Sequence, residues 1–183
     1  MRFIKTGLLL SIITVMSTQA QTESRTLIYG GLALATGQGN GDMRPGLSLG
    51  LESGSKIGNY VGLGGHIDYE WLTVDIPADY DIRMGVHLWD VSFVPKFFIP
   101  FTESANMSFE VDPGFCLSLG YIRSRGYSDS EVEPHFILTS GITFNVEKFA
   151  FGFKYKRVFL YDDSADYDGS ANMVTFNVGY DTN

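Results

Sequence analysis

The chain has 183 residues, with 13 basic and 21 acidic side chains, a formal net charge of −8 and one cysteine. An acidic chain lacks the positive surface that nucleic-acid binding requires, and one cysteine cannot form an internal disulfide. Its 21 glycines and its aromatic content of 14% are typical of a single domain built from many strands.

Residues 1–20 are organised like a signal peptide. Arg2 and Lys5 precede a short apolar run, and Ala20 is a small residue at the expected cleavage position. The run is too short to cross about 30 Å of hydrocarbon as a helix, which needs about 20 residues. We therefore expect cleavage after Ala20, which leaves residues 21–183 as the barrel domain described below. No later apolar segment is long enough for a spanning helix, so membrane insertion would have to use strands.

Alternation of apolar and polar residues predicts eight strands. In chain order they are residues 26–36, 46–53, 59–73, 84–99 and 107–122, the two arms of a hairpin over 136–161, and residues 172–180. Pro95 lies inside the fourth strand, where it removes a ladder hydrogen bond and predicts a bulge or a local irregularity.

The hairpin over residues 136–161 is the clearest element. Large apolar residues occupy even positions in its first arm and odd positions in its second arm. A two-residue turn at Glu147-Lys148 explains this switch and would pair Val146 with Phe149. Small polar residues and two lysines occupy the other face. Two strands with such different faces are typical of a transmembrane β-barrel.

The connections between strands alternate between long and short. Long polar loops are predicted at residues 37–45, 74–83, 123–133 and 161–171, and short turns at residues 54–58, 100–106 and 147–148. Outer-membrane barrels have short periplasmic turns and longer extracellular loops. With a periplasmic N-terminus, this rhythm predicts four extracellular loops.

Two eight-stranded architectures share the alternation. In a soluble periplasmic calyx, the apolar face points inward and binds a small apolar ligand. Here the polar face is rich in small residues that suit a narrow interior, and the apolar face carries large residues that suit lipid. Aromatic residues near strand ends are typical of interfacial girdles, and they are Trp71, Trp89, Tyr121, Tyr161 and Tyr180. The pattern favours the membrane barrel and leaves the calyx as the alternative.

Four segments carry a resemblance to a known family: VSFVPKFF at residues 91–98, EVDPGF at 110–115, the hairpin core at 144–155 and FNVGY at 176–180. They resemble the small outer-membrane β-barrels, such as outer membrane protein X and the membrane domain of outer membrane protein A. The resemblance implies an all-β, eight-stranded antiparallel up-and-down transmembrane β-barrel in the outer membrane. It also implies the barrel assembly machinery, outer-membrane lipid and lipopolysaccharide as partners, and an extracellular ligand through the loops. The family is functionally diverse, so no specific activity follows.

The polar face also collects charges of both signs. Charges enclosed in a narrow barrel must be paired or hydrated. We therefore expect a lumen network of salt bridges, with a narrow proton or ion path as the alternative. The expected members are Asp68, Glu70, Asp90, Lys96, Glu110, Asp112, Lys154 and Lys156, accompanied by His66 and His135.

The sequence contains no catalytic motif of the kind used by barrel enzymes. Lipid A deacylases, as a family, use a His-x-Ser arrangement, which none of His66, His87 and His135 matches. We therefore predict no catalytic residue and no cofactor, and a lipid-modifying barrel enzyme is the less favoured alternative.

The last loop and the strand before it contain two further candidates. Acidic residues of the loop at 162–168 could bind Ca²⁺, but the spacing lacks the glycine and glutamate of an EF-hand loop, so no metal site is assigned. Arg157 lies on the lipid-facing parity near the outer end of its strand. A charge is tolerated at headgroup level, where Arg157 could contact a lipopolysaccharide phosphate.

Overall fold

The computed structural model describes residues 24–36, 43–74, 76, 82–160 and 169–183, so the predicted signal peptide lies outside the described residues. The strands are β1 (Ser24–Thr36), β2 (Met43–Ile57), β3 (Val61–Val74), β4 (Ile82–Pro100), β5 (Ala105–Ser124), β6 (Tyr127–Val146), β7 (Phe149–Leu160) and β8 (Gly169–Asp181). Each strand pairs antiparallel with the next, and β8 pairs with β1, which closes the sheet into a barrel. The predicted eight-stranded antiparallel up-and-down barrel is confirmed. In the described ranges, no helix is long and apolar enough to cross a membrane.

The hairpin of β6 and β7 has the predicted register. Val146 pairs with Phe149, and the turn consists of Glu147 and Lys148. Glu147 has a φ of 53°, the left-handed conformation that tight hairpin turns use. This register places residues 154 and 156 of β7 on the inner face of the barrel, where both lysines are buried.

The connection between β5 and β6 differs from the prediction. The sequence predicts a long loop at residues 123–133, but both strands continue through this segment and meet at a tight turn of Arg125 and Gly126. Gly126 supplies the positive φ of 76° that the turn needs. Among the described residues, positions 127–135 of β6 pair with β5 alone, because the pairing with β7 begins only at Phe136. The predicted loop is wrong because nearly all of this segment meets water on both faces, so hydrophobic alternation does not mark it as a strand.

The effect of Pro95 also differs in detail from the prediction. The ladder between β4 and β5 is interrupted between Ser92 and Lys96, and it resumes in the same register. The predicted irregularity is therefore present without a bulge. The register shift lies instead between β2 and β3, over residues 44–47.

The two faces of the barrel have opposite polarity. Large apolar side chains cover the outside, and Phe115 is 74% exposed while Val91 is 60% exposed. Exposing such surface to water costs about 25 cal/mol per Å². Other members of this outer apolar belt are Ile28, Leu32, Leu49, Ile67, Phe93, Phe97, Val111, Phe144, Phe151, Phe153, Phe176 and Val178. The buried charged side chains lie inside.

The interior is layered along the barrel axis. We call the end with the connections after β1, β3, β5 and β7 the loop end, and the opposite end the turn end. An apolar cluster lies towards the loop end and consists of Ala33, Leu72, Leu88, Cys116, Ile137, Val158 and Met173. Buried charges fill the middle, and a polar cavity of about 420 Å³ opens at the turn end. The apolar and charged layers therefore follow one another along the bore.

One glycine is needed because an aromatic ring covers it. Gly50 pairs with Tyr29 on one side and Asp68 on the other. A Cβ atom at Gly50 would overlap the Tyr29 ring and Asp68 Oδ1. The missing side chain therefore lets Tyr29 reach across β2 to Asp68.

We predict that Gly50→Ala lowers the free energy of unfolding in detergent micelles by about 1–3 kcal/mol, because the added methyl group overpacks the interior. The matched control is Gly120→Ala, since nothing lies within 4 Å of a Cβ atom at that position. The control should change the free energy by less than about 0.5 kcal/mol. Urea unfolding followed by tryptophan fluorescence measures both, and equal effects would contradict the packing of Tyr29 over Gly50.

Candidate functional site

Two clusters of charge occupy the middle of the barrel. The turn-side cluster consists of Glu52, Lys96, Glu110 and Lys154. Lys96 Nζ lies 2.6 Å from Glu52 Oε1 and 2.9 Å from Glu110 Oε2. Lys154 Nζ lies 2.8 Å from Glu110 Oε1. Two lysines face two glutamates, so this cluster is electrically balanced when all four are ionised.

The central cluster lies nearer the apolar layer and is built around Lys156. Its ammonium group donates to Glu70 and Asp90 and lies 3.7 Å from Asp68 Oδ2. His66 Nε2 lies 3.4 Å from both Asp68 Oδ2 and Asp90 Oδ1. All five side chains are at most 3% exposed, so water screens their charges little.

Asp112 completes the central cluster on the other side of the histidine. Its Oδ2 atom lies 3.7 Å from His66 Nδ1. The cluster then holds four carboxylates against the single ammonium group of Lys156. Among the residues that the structure describes, the negative charge of this cluster exceeds the positive charge by three when its carboxyl groups and Lys156 are ionised and His66 is neutral.

Tyr29 connects the two clusters. Its hydroxyl group donates to Asp68, and Lys154 Nζ lies 5.0 Å from the centre of its ring. Neither Tyr29 nor Glu52 was expected in the network from the sequence. The available signal was strand parity, because Tyr29 shares a face with glycine and alanine, and Glu52 alternates with outward-facing leucines.

The eight expected network residues all lie inside the barrel. The structure divides them between the central cluster, with Asp68, Glu70, Asp90, Asp112 and Lys156, and the turn-side cluster, with Lys96, Glu110 and Lys154. His66 joins the central cluster. His135 stands apart from both, near the loop end.

His135 forms a contact that resembles part of a hydrolase site. Its Nε2 atom lies 2.9 Å from Ser118 Oγ and 3.6 Å from Glu133 Oε2. The serine hydroxyl and the glutamate carboxylate therefore contact the same ring nitrogen. All three residues line an apolar cavity of about 180 Å³. A catalytic triad needs the carboxylate on the other nitrogen to orient the ring, and His135 Nδ1 is buried without a hydrogen-bond partner. The arrangement lacks that orienting group.

Aromatic residues gather on the outer face of β3, β4 and β5. His87 lies among Trp71, Trp89 and Tyr121, with ring centroids 6.1, 5.7 and 5.4 Å from its own. Tyr69 OH lies 2.7 Å from His87 Nδ1, which satisfies the polar edge of the imidazole. Three predicted girdle residues, Trp71, Trp89 and Tyr121, therefore lie together in one patch with His87.

The remaining predicted surface residues are spread over both ends. Tyr180 lies at the turn end and packs edge-on against Phe149. Tyr161 lies outside the described residues, as do the aspartates at 162–168. Arg157 is exposed near the loop end of β7, with its guanidinium carbon 5.2 Å from the centre of the Phe159 ring.

Solved structures of small outer-membrane barrels share this fold. Ail of Yersinia pestis, in complex with the heparin analogue sucrose octasulfate, is 18% identical, with 88% of this chain and 99% of that chain covered and a TM-score of 0.59. Neisserial surface protein A is 11% identical over 86% and 96% of the two chains, with a TM-score of 0.57. The N-terminal barrel of Pseudomonas aeruginosa OprF is 10% identical over 88% and 99%, with a TM-score of 0.54.

Identities this low show a common fold and nothing of activity. No protein-family model and no curated protein matches the sequence.

We predict that Lys156→Met lowers the free energy of unfolding by about 3–5 kcal/mol, because it leaves carboxylates buried without their cation. The control is Lys148→Met, which removes the same charge from an exposed turn and should cost less than about 1 kcal/mol. Thermal or urea unfolding in detergent micelles compares the two. Similar losses would show that the central cluster is hydrated rather than closed.

We also predict that a serine-directed fluorophosphonate probe does not label Ser118, because His135 lacks the group that would orient it as a base. Mass spectrometry of the labelled protein gives the readout, with Ser118→Ala as the matched control. Labelling that is lost in Ser118→Ala would contradict this prediction and revive the lipid-modifying alternative.

Proposed function

We propose that the chain is an integral outer-membrane protein whose barrel is filled by its own side chains and whose loop end faces the cell exterior. In this proposal it has a structural or surface-interaction role and no catalytic activity. The observation that carries the proposal is the outer apolar belt around a charged, filled interior. The barrel assembly machinery and outer-membrane lipid are the partners that such a protein needs.

The polarity of the two faces argues against the soluble calyx. A calyx binds its ligand against apolar inner walls and presents polar residues to water. This barrel has the opposite arrangement, with residues such as Phe93 and Val111 on the outside and Glu110 inside. Lipid contact removes the cost of exposing the apolar belt to water, and no small ligand inside the barrel could do so.

The filled interior supports a barrel without steady conductance. Lysine and carboxylate side chains bridge the bore at its middle, and Leu72, Leu88, Ile137 and Val158 close it towards the loop end. Eight strands enclose a space that side chains can fill, in contrast to the water-filled channel of larger porins. A narrow ion path would have to cross both layers.

The projecting hairpin of β5 and β6 is the strongest candidate for contact with a partner. Within the described ranges, residues 127–135 of β6 pair only with β5, so we propose that their outer edge offers backbone groups for an added strand. Val132 is 62% exposed there, between exposed Glu131 and Glu133. Ail binds a sulfated heparin analogue, but this acidic edge would repel a polyanion, so we propose an extended peptide segment as the partner.

Arginines at the loop end support contact with lipopolysaccharide. Arg157 is one of these arginines. Two others, Arg83 of β4 and Arg123 of β5, occupy directly opposite positions in the sheet, and both are exposed. Like charges opposite each other destabilise a sheet. A phosphate between them would reverse that repulsion, and the aromatic patch with Trp71 and Tyr121 follows directly on the membrane side.

We predict that the protein is recovered in the outer-membrane fraction and that an epitope inserted between Arg125 and Gly126 is reached by antibody on intact cells. The reason is that the apolar belt requires lipid and the hairpin extends beyond it. The matched control is the same epitope after Ser104, in a turn at the other end, which should be reached only after permeabilisation.

Two results would contradict the proposed function. Recovery in the soluble periplasmic fraction would revive the calyx. Labelling of the Ser104 insertion on intact cells, with the hairpin insertion protected, would reverse the orientation.

A further inference from the structure

We propose that the central cluster is a metal site, in which His66, Asp68 and Asp90 bind one divalent transition-metal ion of the Zn²⁺ class. The three side chains come from β3 and β4, and each offers one ligand atom within 4.8 Å of the others. A mixed set of one imidazole and two carboxylates suits Zn²⁺ and similar ions better than Ca²⁺, which prefers oxygen alone.

The distances fit an ion between the groups better than direct contacts. His66 Nε2 lies 3.4 Å from Asp68 Oδ2 and from Asp90 Oδ1, which is beyond the usual range of an N–H···O hydrogen bond. Two ligands at about 2.1 Å from a tetrahedral Zn²⁺ ion lie about 3.4 Å apart. The imidazole is therefore separated from each carboxylate as two ligands of one ion would be, and all three ligand atoms lie within 4.8 Å of one another.

The remaining oxygens of the two aspartates are already oriented. The second oxygen of Asp68 accepts a hydrogen bond from Tyr29, and the second oxygen of Asp90 accepts one from Lys156. Asp112 Oδ2 lies 3.7 Å from His66 Nδ1, the position from which a carboxylate orients a metal-binding histidine. Asp68 and Asp90 thus each have one oxygen held by a neighbour and one oxygen left for the ion, and Asp112 faces the nitrogen of His66 that the ion would not use.

An independent observation also points to a bound ion. His66 is fully buried, yet neither of its ring nitrogens has a hydrogen-bond partner, and Asp90 Oδ1 also lacks one. Buried polar atoms without partners cost about 1–3 kcal/mol each. An ion between them would satisfy His66 Nε2 and Asp90 Oδ1 together.

The charge of the cluster leads to the same conclusion. Its four carboxylates exceed its one ammonium group by three charges, while the turn-side cluster is balanced. A divalent ion reduces that excess to one. Protons on the carboxyl groups are the competing way to remove the excess, and the experiment below separates the two.

The layers of the interior determine how an ion reaches the site. The apolar cluster closes the bore on the loop side, so the approach is through the polar cavity at the turn end and past Lys96 and Lys154. Two lysines on that route oppose a cation. We therefore expect the ion to enter mainly while the barrel folds, and to leave slowly afterwards.

The test is refolding of the protein into detergent micelles with Zn²⁺ or with a chelator, followed by removal of free metal. We expect one Zn²⁺ per chain by elemental analysis and a higher unfolding temperature for the Zn²⁺-refolded sample. Refolding with Co²⁺ should give the visible absorption of a tetrahedral site with a nitrogen ligand. Ca²⁺ should give neither effect.

Three variants locate the site. His66→Gln should lose the metal and the Co²⁺ spectrum, whereas His135→Gln, at the other buried lumen histidine, should keep both. Asp112→Asn should retain the site with affinity lowered about 10–100-fold, as expected for a positioning residue. Replacing Asp162, Asp163, Asp166 and Asp168 by asparagine should leave metal binding unchanged.

Several outcomes would overturn the proposal. If the unmutated protein binds no metal, protons on the carboxyl groups must remove the excess negative charge of the central cluster, and the proposal is wrong. Metal retained in His66→Gln but lost from the loop variant would assign it to the acidic loop. If His66→Gln fails to fold, the Co²⁺ spectrum of the unmutated protein shows whether a nitrogen atom binds the ion. A spectrum typical of oxygen ligands alone would exclude His66 as a ligand.

Discussion

The structure depends on neutralising two lysines that a β-strand carries into the middle of the barrel. Lys154 and Lys156 lie next to Thr175 and Met173 of β8, which offer no negative charge. Their partners come from β3, β4 and β5, across the bore. Because a buried cation without a partner is costly, these contacts favour the closed barrel over an open sheet.

Charge pairing across the bore in turn sets the packing around it. Tyr29 crosses from β1 to Asp68 only because Gly50 lies beneath its ring. The same ring faces Lys154, so one aromatic side chain contacts both charged clusters. Small residues on the inner face are therefore part of the electrostatic arrangement, since they leave the space that long charged side chains occupy.

With the filled interior proposed above, the surfaces available for function are the outside and the two ends of the barrel. The apolar belt suits lipid, and the aromatic patch around His87 and the arginine pair lie where the belt meets the loop end. Beyond that level, the hairpin of β5 and β6 presents an acidic edge, and no strand of the described residues other than β5 pairs with its residues 127–135. The proposed contacts with lipid and with a partner segment rest on this division, while the proposed metal site belongs to the interior.

The sequence by itself determined the strand alternation, the turn at Glu147-Lys148 and the inward parity of the charged residues. A period of two and a change of parity are local signals, so they can be read without knowing which strands meet. The sequence did not reveal the strands in the 123–133 segment, because a hairpin surrounded by water has no apolar face to mark it.

Only the tertiary structure decided which charges meet. Closure of the barrel brings His66 of β3 beside Asp112 of β5, and Glu52 of β2 beside Lys96 of β4. These contacts skip a strand, and they depend on side-chain reach across a curved sheet. Strand parity alone could place such residues inside, but it could not divide them into a balanced cluster and an acidic one.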